Sequence, residues 1–134
     1  SVIAVEEVQG NQIQSYGVIV PERVNERVFR VLGTVEKPDA ANAPSNLGIV
    51  GRYILSADIF GELESVAPGA MGEIQLTDGL ELMLQNQHMY ALRFQGIRYD
   101  VGNPLGLLKA SVDLALRRED MGSILMEFLN KFIR

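Results

Sequence analysis

The run Leu47-Gly48-Ile49-Val50-Gly51-Arg52-Tyr53-Ile54-Leu55 is nearly continuous apolar sequence, broken only by Arg52. A strand with one wet face would alternate, whereas a run of this kind suits a central strand covered on both faces. A chain with such a strand needs neighbours beside it and layers against it.

The sequence before this run predicts those neighbours. Residues 2–8 are short and β-rich, and Gly10-Asn11 signals a turn. Ile13 to Val20 predicts a second strand ended by Pro21-Glu22, and Arg27 to Val35 a third. Pro38 to Pro44 is a surface loop. After the run, Ser56 is placed to cap a short helix with Ile59, Leu63 and Val66 on one face, stopped by Pro68-Gly69. A second helix is expected from Thr77 or Asp78. Asp78 and Glu81 have capping-box spacing there, and Leu76, Leu80, Met83 and Leu84 keep a helical period.

Met89 to Phe94 and Gly96 to Val101 predict two strands joined by a tight bend. Pro104 suits a first helical residue, ahead of a stripe at Leu108, Val112 and Ala115 that ends at Arg117-Arg118-Glu119-Asp120. Ser123 is placed to cap a last helix with Leu125, Phe128, Leu129 and Phe132 inward. Strands first, then helices mixed with strands, predict an α/β chain: a mixed sheet flanked by helices. With 134 residues and no repeat or linker, one domain over 1–134 is expected.

Composition narrows the function. A net charge of −5 with dispersed basic residues argues against nucleic-acid binding, since no basic stripe can displace counterions. The absence of cysteine excludes disulfides, thiolate metal sites and a cysteine nucleophile, and suits a reducing cytoplasm. No apolar run can span a bilayer, so no membrane partner is expected. The start, Ser1 to Glu7, lacks the basic region of a signal peptide and reads as a strand already under way, as in a piece cut from a longer protein.

Four short segments can carry chemistry. In Val35-Glu36-Lys37-Pro38 a carboxylate can accept hydrogen bonds from adjacent sugar hydroxyls, and the neighbouring ammonium can neutralise a phosphate. Pro38 should bias Lys37 toward an extended backbone. The alternative is a solvated ion pair at a turn. In Tyr16-Gly17-Val18-Ile19 the glycine marks either a bulge or a close approach by a ligand. In Tyr99-Asp100-Val101-Gly102-Asn103 the carboxylate either helps hold a hard cation or accepts bonds from the following turn. Gly72-Glu73-Ile74-Gln75-Leu76-Thr77-Asp78 is either a capped helix start or part of a ligand site. The lone His88 has no partners for a catalytic triad. The glycines form no phosphate-cradling loop, so a nucleotide triphosphate has no obvious cradle here.

In this order, and with Ala43 to Leu55 between them, the four segments resemble the carboxy-terminal half of bacterial sugar-phosphate nucleotidyltransferases, in the UDP-glucose pyrophosphorylase branch. The resemblance covers roughly residues 1–130. It implies part of a nucleotide-diphospho-sugar transferase, a Rossmann-like α/β fold, and the joining of UTP and glucose 1-phosphate into UDP-glucose and pyrophosphate. It implies that Gly17 approaches the sugar, Glu36 holds its hydroxyls and Lys37 contacts the phosphate bonded to it. Ile49 would pack at the sugar pocket, and Asp100 would be one of two aspartates on Mg²⁺. The second aspartate and the nucleotide-binding residues would lie in the amino-terminal half. Pro104 stands where close relatives often have Lys.

The chain alone is therefore expected to be inactive. Apolar surface and an open strand edge should favour a homo-oligomer, through residues 2–8 or the 124–133 helix. A non-catalytic sugar-phosphate-binding or oligomerisation module, or an enzyme for another sugar nucleotide, are the alternatives.

Overall fold

Alternating burial along residues 2–8 gives β1 (Val2–Glu7), with Ile3 and Val5 fully inside. In the computed structural model, which describes residues 1–68 and 72–132, β2 (Gly17–Arg23), β3 (Val28–Glu36), β4 (Leu47–Ile54) and β5 (Met89–Arg93) complete one sheet. Its order, β1-β4-β2-β3-β5, closes on itself. β1 runs antiparallel to β4, with Val5 opposite Ile49, and parallel to β5, with Val2 opposite Tyr90. The other pairings are antiparallel, and β2 meets β4 only where Val18 faces Gly48. The sheet is mixed, as expected. β1 is hydrogen-bonded on both sides, however, so residues 2–8 offer no open edge, and the expectation of one is corrected.

Two helices cover this sheet, α1 (Ile59–Ser65) and α2 (Leu76–Leu84). Leu80 and Met83 of α2 and Ile59 of α1 join Ile3, Val5, Ile19, Val31, Ile49 and Met89 in the main core. A fully buried leucine such as Leu80 contributes about 1.5–3 kcal/mol. A smaller cluster of Val8, Ile13 and Val18 packs at one end.

Several local expectations shift. Ile13 lies in a 3-10 helix, Gly10–Ser15, and packs inward from there. β2 continues through Pro21, where the register against β3 slips between Val20 and Pro21. A bulge excuses proline from the ladder bond it cannot make. β4 is buried only at Leu47, Gly48 and Ile49. From Gly51 onward it is exposed, reaching 77% at Ile54, so it is not a strand covered throughout.

Ser56 does not cap α1. Its hydroxyl lies 3.1 Å from both Asp58 Oδ2 and Gln87 Oε1. The helix ends at Ser65, ahead of Pro68, and Gly69 lies outside the described residues. α2 starts at Leu76 without a side-chain cap. Glu81 instead accepts from the Thr34 backbone N–H (2.7 Å) and hydroxyl (3.1 Å), so the capping box gives way to a tie between α2 and β3.

Residues 1–95 form one compact unit and 96–134 a second. In the second unit Gly96 to Val101 is not a strand. The Asp100 carboxylate folds onto the following turn, accepting from Gly102 N–H (3.0 Å) and Asn103 Nδ2 (3.3 Å). α3 (Pro104–Leu116) begins at proline as predicted, and Asn103 Oδ1 caps it by accepting from Gly106 N–H at 2.8 Å. Its most buried residue is Ala110, while Val112 and Ala115 are half-buried and Leu108 is exposed. α4 (Gly122–Asn130) contains Ser123 inside the helix rather than at its cap. Leu125 and Leu129 are half-buried, whereas Phe128 and Phe132 face outward, against expectation.

Candidate functional site

Gly17 opens β2 and Glu36 closes β3, and the ladder sets the two directly opposite each other. Because Gly17 has no side chain, the Glu36 carboxylate has room beside it. A Cβ at Gly17 would stand 3.0 Å from Glu36 Oε2, 3.2 Å from Thr77 Cγ2 and 3.4 Å from Ile49 Cδ1. These residues line a cavity of about 240 Å³, completed by Gly51 and Tyr53 of β4 and by Gln75, Leu76 and Leu80 around α2. That is below the roughly 300–1,000 Å³ of a drug-sized pocket and suits a ligand of monosaccharide size.

The walls hold a small set of polar groups. Glu36 accepts from the Thr77 hydroxyl at 2.5 Å. Thr77 is the second residue of α2, so the carboxylate stands beside that helix's positive N-terminal turn. Partial burial, and secondarily the Glu36 charge, push the Tyr53 phenol above its ordinary value, so it remains a neutral donor. Gly51 turns the wall at a φ of 70°, which favours glycine.

Lys37 follows Glu36, with Nζ 3.6 Å from Oε1. Its side chain is 54% exposed and does not line the cavity. An exposed pair of this kind contributes about 0–1 kcal/mol. The backbone of Lys37 is left-handed (φ 44°), not extended as the following proline suggests. Its N–H donates to the Tyr16 carbonyl at 3.0 Å, the last bond of the strand pair, and the chain must reverse there to leave the sheet. Left-handed backbone at a residue other than glycine costs about 1–3 kcal/mol and clusters at functional positions.

Gly17, Glu36 and Ile49 therefore share one cavity, with Lys37 beside it. Asp100 belongs to the second unit, and its two oxygens are each partly occupied by the turn bonds already described. Among the described residues no group of three or more His, Cys, Asp or Glu side chains converges as a metal site. Mg²⁺ takes oxygen ligands, so Asp100 fits as one ligand but does not make a site by itself. His88 is an exposed partner of Arg30, with 3.2 Å between Nδ1 and Nη2.

Gln75 and Thr77 line the cavity from within the Gly72 to Asp78 segment, read from the sequence as either a helix start or part of a ligand site, whereas Tyr53 and Gly51 carry no such reading. The available signal is the polar–apolar alternation of Gly72 to Asp78. Polar residues at a helix start also serve as caps, and no local rule separates the two uses. Tyr53 and Gly51 are hidden inside the apolar run of β4.

No protein-family model matches the chain. It is 47% identical over 131 residues to UTP–glucose-1-phosphate uridylyltransferase 2 of Staphylococcus saprophyticus, covering 98% of this chain and 45% of that protein. A crystal structure of UDP-glucose pyrophosphorylase complexed with UDP-glucose matches with a TM-score of 0.81 and 41% identity, over 87% of this chain and 44% of that one. A UTP-bound enzyme of the same name from Acinetobacter baumannii matches with a TM-score of 0.84 and 33% identity, over 98% of this chain and 45% of that one. The chain thus has the fold of one portion of these proteins, and it spans less than half the length of the relatives it matches.

Proposed function

We propose that this chain is the sugar-phosphate side of a UTP–glucose-1-phosphate uridylyltransferase. The observation that carries the proposal is the convergence of Gly17, Glu36 and Ile49 on one monosaccharide-sized cavity with the Lys37 ammonium at its edge. Glu36 accepts hydrogen bonds from adjacent sugar hydroxyls. Gly17 lets the ring approach the backbone, and Ile49 packs against its apolar face. Lys37 neutralises the phosphate on the sugar, which lowers the repulsion that phosphate meets as it attacks a nucleotide phosphorus.

Asp100 is assigned as one of the carboxylates for Mg²⁺ in the whole enzyme, where the ion's chemistry is charge neutralisation at phosphate oxygens. UTP is held by sequence beyond these residues, because this chain has no glycine-rich phosphate loop. The chain alone then makes no UDP-glucose. Among the described residues no helix is long and apolar enough to cross a membrane, and a cytoplasmic setting accords with the absence of cysteine. The exposed apolar residues of α4, Ile124 at 71% and Phe128 at 54%, favour a homo-oligomer.

Titration of the chain with glucose 1-phosphate, followed on the backbone amides of Gly17, Glu36 and Lys37, tests the proposal. Saturable shifts that disappear in Glu36→Ala are expected. Binding that Glu36→Ala leaves intact, or no binding at all, overturns it.

A further inference from the structure

We propose that Thr77 is the positioning residue of the cavity. It clamps one oxygen of the Glu36 carboxylate so that the other oxygen, and the remaining lone pair of the first, face the ligand's hydroxyls. The ligand half of this inference rests on the sugar-phosphate reading of the site; the clamp itself does not.

Three independent facts put Thr77 in this role. Its hydroxyl donates to Glu36 Oε2, a bond across sequence between the start of α2 and the end of β3. Thr77 is only 8% exposed, and it is the one polar residue of the core among the described residues. A hydroxyl has a single proton, and this one is given to the carboxylate. Finally, the Thr77 methyl crowds the space beside Gly17, as Ile49 does. A Cβ at Gly17 would meet both Cγ2 of Thr77 and Oε2 of Glu36. The carboxylate is thus held by a hydrogen bond from Thr77 and occupies space that only a glycine at position 17 leaves free.

The backbone of Thr77 is fixed as well. Its carbonyl lies 3.1 Å from the Thr34 hydroxyl, whose one proton is shared between it and Glu81, and Glu81, one turn on, accepts from the Thr34 N–H. Thr34 is two residues before Glu36 on β3, so the element that presents the clamp is tied to the strand that presents the carboxylate. A glutamate at a strand end has three side-chain torsions and would otherwise lose much of its freedom only on binding. Fixing it beforehand removes that cost from the binding step.

The test uses the whole 134-residue chain and two variants. Thr77→Val keeps the shape and removes the hydroxyl, whereas Thr77→Ser keeps the hydroxyl. Without ligand, the Thr77 hydroxyl proton should be visible by NMR, protected from solvent exchange, and should lose that protection in Glu36→Ala. An unprotected hydroxyl overturns the clamp whatever the ligand proves to be. With ligand, Thr77→Val should weaken glucose 1-phosphate about tenfold, Thr77→Ser should restore it to within about twofold, and the response of the Lys37 amide to inorganic phosphate should be unchanged in both. Equal weakening of both probes, or no weakening, overturns the positioning role. A protected hydroxyl in a chain that does not bind glucose 1-phosphate leaves the clamp standing and overturns the sugar-phosphate reading instead.

Discussion

Gly17→Ala separates the site from the scaffold. The new methyl would lie 3.0 Å from Glu36 Oε2, where ordinary contact begins near 3.4 Å, so the carboxylate must retreat by roughly 0.4 Å. Its bond to Thr77, 2.5 Å in the native chain, would lengthen by up to that amount, to about 2.9 Å, and weaken. Gly17 does not have a left-handed backbone, so alanine is conformationally allowed there. Overpacking of this kind costs about 1–3 kcal/mol, and the reduced freedom of the unfolded chain offsets about 0.4–1 kcal/mol of it. The net loss of stability should be about 0–2.6 kcal/mol. Affinity for glucose 1-phosphate should fall about tenfold or more, because the carboxylate and the backbone approach are both disturbed. Urea unfolding followed on the amide signals of β1 to β5 measures the first quantity, and titration with glucose 1-phosphate the second. A variant that binds as tightly as the native chain, with Glu36 resonances unmoved, refutes the claim that Gly17 makes room for the ligand-binding carboxylate.

Asn103→Ala removes the cap of α3 and should destabilise the second unit by about 1 kcal/mol, seen as faster hydrogen exchange at Gly106 and Leu107. In the same unit the Tyr99 hydroxyl donates to Asp113, and this bond, more than the nearby Arg117, holds the Asp113 carboxyl below its ordinary 3.8. A depressed carboxyl contributes stability that is present above 3.8 and lost as pH falls through the folded value. The same bond raises Tyr99 above 10.0, a contribution present below that pH and lost as pH rises through the folded value. Tyr99→Phe should flatten both limbs of the stability–pH curve of this unit; an unchanged acid limb would contradict the assignment. Replacing Ile124 and Phe128 by glutamate should convert an oligomer to a monomer in size-exclusion chromatography with light scattering. A native chain that is already a clean monomer at high concentration removes the basis for that expectation.

Much of the scaffold is legible because its signals are local. β3 and α2 announce themselves by period, and Asn103-Pro104 by the chemistry of a helix start. Misreadings arise where a local rule is overruled by partners distant in sequence. Pro21 should end a strand, but a bulge carries β2 past it. Ser56 and Glu81 look like caps, yet their oxygens are used by Gln87 and Thr34. Gly96 to Val101 has strand-like composition, but Asp100 turns the backbone onto itself. The division near residue 95 has no compositional mark. In the site, Gly17, Glu36 and Ile49 were reached through family resemblance, and each alone fits a structural explanation. The role of Thr77 within Gly72 to Asp78 is not legible because its partner lies on β3, 41 residues away, a contact that spacing does not encode.

Closing the sheet through β1 and β5 also shapes how the chain acquires its structure. Val2 pairs with Tyr90 and Ile3 with Ala91, so β1 meets one of its two neighbours only after almost the whole first unit has been made. Such pairing raises the mean sequence separation of native contacts and slows folding, because loop closure must precede its reward. During synthesis, β1 can dock on β4 first and must wait for β5, leaving one side of an apolar strand temporarily unpaired. That interval is when the chain is most exposed to wrong strand partners, and it ends when β5 arrives.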